Sequence, residues 1–198
     1  MQVQGAVREQ CRQAVVGVAL GTRTFLPSGF HLTCVDIYIL RHGRAEKRAP
    51  SVRGDEGRAL TGEGRTEILG VAEFLASRDV VFGCIATSPY ARAVETAQIV
   101  AKALGKRGLV FQWDELTPGS GIEALESRIS SRPEEESILI VGHEPLLGQF
   151  TGYMITGGSN AAIAFGKGGL AKIRNARLDP VSGELQWLLT VRQIMSMK

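Results

Sequence analysis

Apolar positions along the chain fall into two repeating registers. Short unbroken apolar runs, "VDIYIL" from Val35, "VVFGCIATS" from Val80, "GLVFQW" from Gly108 and "SILIV" from Ser137, are rich in β-branched and aromatic residues. They read as strands buried on both faces. Between them the apolar residues recur at helical spacing. One such stretch opens at Thr61, a plausible N-cap, with Ile68, Leu69, Ala72, Leu75 and Ala76 as its apolar positions. A second runs from Pro89 to about Leu104 and buries Ala93, Ala97, Val100 and Leu104, with Ser88 as its cap and Pro89 in its first turn. Further helices are predicted over 121–131 and from Leu146 to about Ile155. The C-terminal part reads as strands instead, "AAIAF", "GLAKIRNARL" and "ELQWLLTV", the last two joined by a turn at "DPVSGE".

Alternating strands and helices predict an α/β fold, a three-layer sandwich with a mostly parallel central sheet and helices on both faces. The C-terminal hairpin adds an antiparallel edge. Residues 35–198 form this single domain. Residues 1–34 find no partner element and end in a Pro27-Ser28-Gly29 turn, so they are expected to be a mobile leader or to lie outside the domain. The short run "AVVGVAL" after two arginines offers a signal-peptide alternative, weakened by its length and by Gly17.

Composition changes this picture little. The chain has 198 residues and 6% aromatics, so its core is mainly aliphatic. Its net charge is +3, of which the first 34 residues carry +2 through Arg8, Arg12 and Arg23 against Glu9. The remaining +1 gives no case for a nucleic-acid surface. Cys11, Cys34 and Cys84 fit neither a metal spacing nor an even disulfide framework, so a reduced, cytoplasmic protein is expected, with Cys84 a small buried hydrophobe. No run approaches the roughly 20 apolar residues that span a bilayer, so no membrane partner is expected. The expected state is a monomer.

The chemistry sits where strands stop. In an open parallel sheet, ligands bind at the carboxyl ends of the strands. The first run ends in Arg41-His42-Gly43, the second at Ser88 with Arg92 one turn into the next helix, and "SILIV" in Gly142-His143. Two guanidiniums, two imidazoles and a helix N-terminus converging there would form an anion site suited to a phosphoryl group. A neutral imidazole in such a site is a competent nucleophile; a phosphohistidine intermediate would split one difficult step into two, with the arginines carrying charge on the equatorial oxygens.

Taken singly, Arg41 reads as a surface charge, His42 equally well as a structural histidine, His31 as a leader residue without a partner, and Ser88 as a cap. Glu144 could join His42 and His143 around a metal, but two arginines would repel a cation, so no metal or other cofactor is expected. Gly43 and Gly142 are read as allowing tight turns and close approach of backbone to ligand.

The motifs "LRHGRAE", "ALTGEGRTEI", "ATSPYARAVETA", "DELTPG" and "LIVGHEPLLG" occur in the order found in the histidine phosphatase superfamily. From about Val35 onward the chain closely resembles the SixA-type phosphohistidine phosphatases, which have a phosphoglycerate-mutase-like fold. The resemblance implies that His42 is the nucleophile, that Arg41 and Arg92 bind the phosphoryl group, and that a protonated His143 donates to a phosphoryl oxygen. It places Arg58 at the site entrance and makes Glu115 the candidate general acid. Substrate-binding positions are then Arg41, Arg58, Ser88, Arg92 and His143. Only 100 residues separate His42 from His143, too few for the long insertions that roof the site in mutase-like relatives. The implied substrate is therefore a phosphorylated protein, such as a histidine-phosphotransfer domain, rather than a small sugar phosphate. The alternatives are a small-molecule phosphomonoesterase or mutase, and a module that binds phosphoproteins without turnover.

Overall fold

A computed structural model describes residues 34–47, 54–158, 161 and 163–197. Six strands, β1 (Val35–Arg41), β2 (Cys84–Thr87), β3 (Val110–Gln112), β4 (Ser137–Gly142), β5 (Leu170–Leu178) and β6 (Val181–Leu189), form one sheet in the order β3-β2-β4-β1-β5-β6. The first four pair in parallel; β5 is antiparallel to β1 and β6 to β5. The helices are α1 (Gly62–Ala76), α2 (Ala91–Ala103), α3 (Ile122–Ser130), α4 (Leu146–Thr156) and α5 (Val191–Ser196).

Strand periodicity explains the layers. Ile37 and Ile39 of β1, with Ile138 and Ile140 of β4, pack against Leu125 and Ile129 of α3 and Leu147, Phe150 and Met154 of α4. The intervening Tyr38, Leu40, Leu139 and Val141 pack on the other face against α1, α2 and Ile194 of α5. A strand covered on both sides has no polar phase, which is why these strands appear as unbroken apolar runs.

Several expectations are corrected. The buried stripe of α1 is Ile68, Val71, Ala72, Phe74 and Leu75; Leu69 is 47% exposed and Ala76 is exposed. The stripe that faces the sheet is rotated from the one read from sequence, because Val71 and Phe74 present more apolar surface than Leu69 and Ala76. Thr61 does cap α1, accepting from the Gly64 N–H. Helix α2 begins at Ala91 with Tyr90 in the N-cap position, so neither Ser88 nor Pro89 starts it.

The segment "AAIAF" is not a strand at its described residues. Ile163 N–H donates to the Gly148 carbonyl at 3.0 Å and Phe165 N–H to Glu144 at 3.1 Å, so this stretch is laid against the start of α4 instead. Strand β6 begins at Val181, with only two residues between it and β5, and Val191 opens α5, whose capping box is formed by Thr190 and Gln193. Residues 1–33 of the proposed leader, Cys11 and His31 among them, lie outside the described residues, as do residues 48–53 of the loop after β1. Cys84 is fully buried, as expected.

Candidate active site

Parallel pairing sets the site. Arg41 of β1 stands level with Gly142 of β4, and Val141 with Thr87 of β2. The ladder continues one residue beyond each strand: His42 N–H donates to the Gly142 carbonyl at 3.1 Å and Ser88 N–H to the Val141 carbonyl at 3.0 Å. His42, His143 and Ser88 therefore emerge side by side, with the two imidazole centroids 4.9 Å apart.

The loop after His42 is held against helices. A Cβ on Gly43 would lie 2.7 Å from Ile68, and one on Gly64 only 2.2 Å from the Arg44 carbonyl. These glycines let the turn press onto α1. At Gly142 a Cβ would face Leu116 and Leu147, so these two glycines answer to protein packing rather than to a ligand's approach. Thr96, fully buried on α2, accepts from Gly43 N–H at 3.2 Å and donates to the Arg92 carbonyl at 2.7 Å.

This scaffold fixes the tautomer of His42. Its Nδ1 lies 2.7 Å from the Gly43 carbonyl, which can only accept, so Nδ1 carries the proton. Nε2 is then the lone-pair nitrogen, and it accepts from Arg92 Nε at 3.3 Å. Burial lowers the His42 pKa to about 4; the Gly43 hydrogen bond opposes this, while Arg92, Arg41 and Lys167 push it the same way as burial.

His143 Nε2 is 2.9 Å from Ser88 Oγ, which itself accepts from Tyr90 N–H at 3.3 Å. A Ser88 hydroxyl that gives its proton to Nε2 puts the imidazole proton on Nδ1. His143 Nδ1 is buried without a partner, as is Arg41 Nε. Burial first, then His42 and the two arginines, lowers the His143 pKa to about 3, with Asp55 opposing. The protein's own groups thus favour a neutral His143 ring, against the imidazolium that the resemblance implies. Here desolvation and neighbouring cations outweigh one carboxylate; an arriving phosphoryl dianion would act in the opposite sense.

Arg41 Nη1 donates to the Phe165 carbonyl at 2.6 Å, so the stretch misread as a strand orients this guanidinium. Glu144 turns to Phe165 N–H rather than toward His42 and His143. Arg58 is engaged with the Glu46 carbonyl and with Asp55, both at 2.6 Å, and reaches the cluster only through Asp55. Glu115 lies half-buried on the short turn after β3, which also carries Leu116 over Gly142; no hydrogen bond or ion pair ties it to His42 or Arg92. Sequence reasoning missed Asp55 and the Phe165 carbonyl. The three-residue spacing from Asp55 to Arg58 was a weak signal for the first; nothing local marks the second.

A proton-free imidazole nitrogen facing converging guanidiniums is an arrangement suited to receiving a phosphoryl group. The histidine phosphatase superfamily (branch 1) matches residues 37–117. The chain is 33% identical over 162 residues to an uncharacterized protein of Picosynechococcus sp., covering 79% of this chain and 96% of that one. It is 28% identical over 125 residues to the phosphohistidine phosphatase SixA of Escherichia coli, covering 62% and 76%. Its fold matches the protein histidine phosphatase SixA complexed with tungstate at TM-score 0.72 and 23% identity, over 83% of this chain and all of that one. A putative alpha-ribazole-5'-P phosphatase from Escherichia coli shares the fold at TM-score 0.62 and 18% identity, over 80% and 97%. The chain belongs to the histidine phosphatase superfamily, and it is a phosphatase with a phosphoglycerate-mutase-like α/β fold. Among the described residues no helix is long and apolar enough to cross a membrane.

Proposed function

We propose that the protein removes the phosphoryl group from phosphohistidine in a partner protein, such as a histidine-phosphotransfer domain. The observation that carries this reading is the deprotonated Nε2 of His42, held 3.3 Å from Arg92 Nε. The lone pair on Nε2 attacks phosphorus in line. The P–N bond to the substrate imidazole breaks, and that nitrogen keeps the electron pair and takes a proton from solvent. Arg41 Nε and His143 Nδ1, both buried donors without a protein partner, supply hydrogen bonds to the equatorial oxygens. Water then attacks the phosphohistidine on His42, releasing phosphate and restoring the ring.

Two features favour this substrate over a phosphomonoester. An imidazole leaving group needs less acid assistance than an alkoxide, and no hydrogen bond or ion pair ties Glu115 to His42 or Arg92. The short span between His42 and His143 leaves little chain to roof the site, which suits a phosphorylated side chain presented on a protein surface. The similarity to SixA of Escherichia coli supports the same reading.

A substrate panel of phosphohistidine peptide, sugar phosphates and phosphoglycerate tests it, together with low-temperature trapping of base-stable, acid-labile phosphate on His42. Preference for the phosphohistidine peptide, with labelling lost in His42→Ala, is expected. Preference for a sugar phosphate would establish the small-molecule alternative, tight phosphopeptide binding without phosphate release the non-catalytic one. Hydrolysis that persists in His42→Ala, or disappears with EDTA, would overturn the mechanism.

A further inference from the structure

We infer that Asp55 is a positioning residue for Arg92, and that Arg58 and the Glu46 carbonyl hold Asp55 in that role. The kinetic consequence rests on the phosphatase reading above; the structural one does not. Asp55 lies on a short 3-10 turn, Gly54–Gly57, that has no buried residue of its own. Its carboxylate is 53% exposed, whereas the Arg92 side chain it meets is only 7% exposed.

The contacts divide the guanidinium into two ends. Asp55 Oδ2 accepts from Arg92 Nη2 at 2.9 Å and the Asp55 backbone carbonyl from Nη1 at 2.8 Å, so a single residue takes both terminal nitrogens. The remaining nitrogen, Nε, faces His42 Nε2. A carboxylate competing for the phosphoryl position would lie on the Nε side, beside the nucleophile. Asp55 instead holds the far end of the fork. Tyr90 lies under the guanidinium, with its ring centroid 4.9 Å from Arg92 Cζ, which restricts rotation out of plane.

Asp55 is itself fixed. Its Oδ1 accepts from Arg58 Nη1 at 2.6 Å, and Arg58 Nε donates to the Glu46 carbonyl at 2.6 Å. Glu46 N–H in turn donates to the Ala59 carbonyl at 2.9 Å, beside the Ala45–Leu60 bridge. Arg58 thus belongs to this clasp, and no hydrogen bond joins it to His42 or Arg92. A long, flexible side chain aligned before substrate arrives spends no binding energy on being ordered, and its charge is already where the transition state needs it.

The test is the Asp55→Ala variant of the full chain, read in two ways. The first reading is the protonated fraction of His42 at pH 5 by NMR. The groups that face His42 are Arg92, Arg41, Lys167, His143 and the Gly43 carbonyl. Removing a nearby carboxylate acts directly to lower an imidazole pKa, whereas releasing Arg92 from His42 raises it. We expect that fraction to rise about threefold or more, against the direct electrostatic effect.

The second reading is kcat on a phosphohistidine peptide. It should fall about tenfold in Asp55→Ala, but change less than about twofold when the same substitution is made in Arg92→Ala. Asp55→Asn keeps an accepting oxygen and should recover part of the loss; it carries both readings if Asp55→Ala does not fold. An unchanged or smaller protonated fraction would overturn the proposal, as would equal losses in both backgrounds. Unchanged kcat with tighter inhibition by tungstate would also overturn it, making Asp55 a competitor of the substrate. If the wild type releases no phosphate from phosphohistidine, the substrate assignment fails while the His42 titration still decides the role of Asp55.

Discussion

Two neutral histidines buried among arginines should make the fold sensitive to mild acid. The perturbation is a change from pH 7 to pH 5. In the unfolded chain each imidazole titrates near 6.5, whereas in the folded protein His42 is lowered to about 4 and His143 to about 3. Between 6.5 and 4 the unfolded chain therefore binds protons that the folded chain refuses. The stability these rings contribute is fully present above about 6.5 and is lost as pH falls toward 4. Each ring should cost about 2 kcal/mol between pH 7 and pH 5, and the two together about 4 kcal/mol. Asp55 and Glu184, whose values are lowered by Arg58 and Arg174 respectively, lose their contribution at lower pH and leave this window to the histidines. Urea unfolding at the two pH values measures the effect, and His42→Asn or His143→Asn should each remove about half of it. A wild-type loss below about 1 kcal/mol, or variants as acid-sensitive as the wild type, would refute the assignment of neutral, desolvated rings.

Three further outcomes follow from the same geometry. Thr96→Val keeps the shape but leaves Gly43 N–H buried and unpaired, so unfolding should require about 1–3 kcal/mol less and kcat should fall as the Gly43 peptide, whose carbonyl anchors His42 Nδ1, loses its tie to α2; calorimetry and initial rates check it. Gly64→Ala puts a Cβ 2.2 Å from the Arg44 carbonyl, which as backbone cannot swing aside, and should cost about 1–3 kcal/mol by denaturant midpoint while weakening activity. Glu115→Gln should leave phosphohistidine hydrolysis within about twofold; a loss of about 100-fold would establish Glu115 as the general acid although no hydrogen bond or ion pair ties it to His42 or Arg92.

The parallel sheet was legible because strands covered on both faces carry no polar phase, and the site because parallel register brings strand ends level. Arg41, His42 and His143 each stand at or just beyond such an end, and Arg92 lies in the first turn of the helix that follows β2, so strand register and the β2–α2 connection bring them together. Other features depend on contacts that local pattern does not carry. The stretch around Phe165 has strand-like composition, yet its backbone is spent on Gly148, Glu144 and Arg41. Ser88 beside Pro89 has the form of a helix start, but the hydroxyl is taken by His143 and the helix begins at Ala91. The phase of α1 differs from the sequence reading because Leu69 and Ala76 also complete a plausible stripe, although Val71 and Phe74 present more apolar surface to the sheet.

Electrostatics ties these parts to the chemistry. A lone histidine at a strand end would titrate near its ordinary value and be substantially protonated in mild acid. Burial and the surrounding cations keep His42 neutral, and the Gly43 carbonyl decides which nitrogen holds the proton. The same cations that lower both imidazole pKa values are those that would carry charge on a transferred phosphoryl group. Binding of the anion and availability of the nucleophile therefore share these cations, with burial the larger cause of the lowered values. Asp55 completes the arrangement: it takes the end of Arg92 that the phosphoryl group does not need, leaving Nε toward His42. Lowering the positive charge by replacing either arginine should thus weaken anion binding and also raise the pKa of the nucleophile, so activity should fall more steeply in acid than at neutral pH.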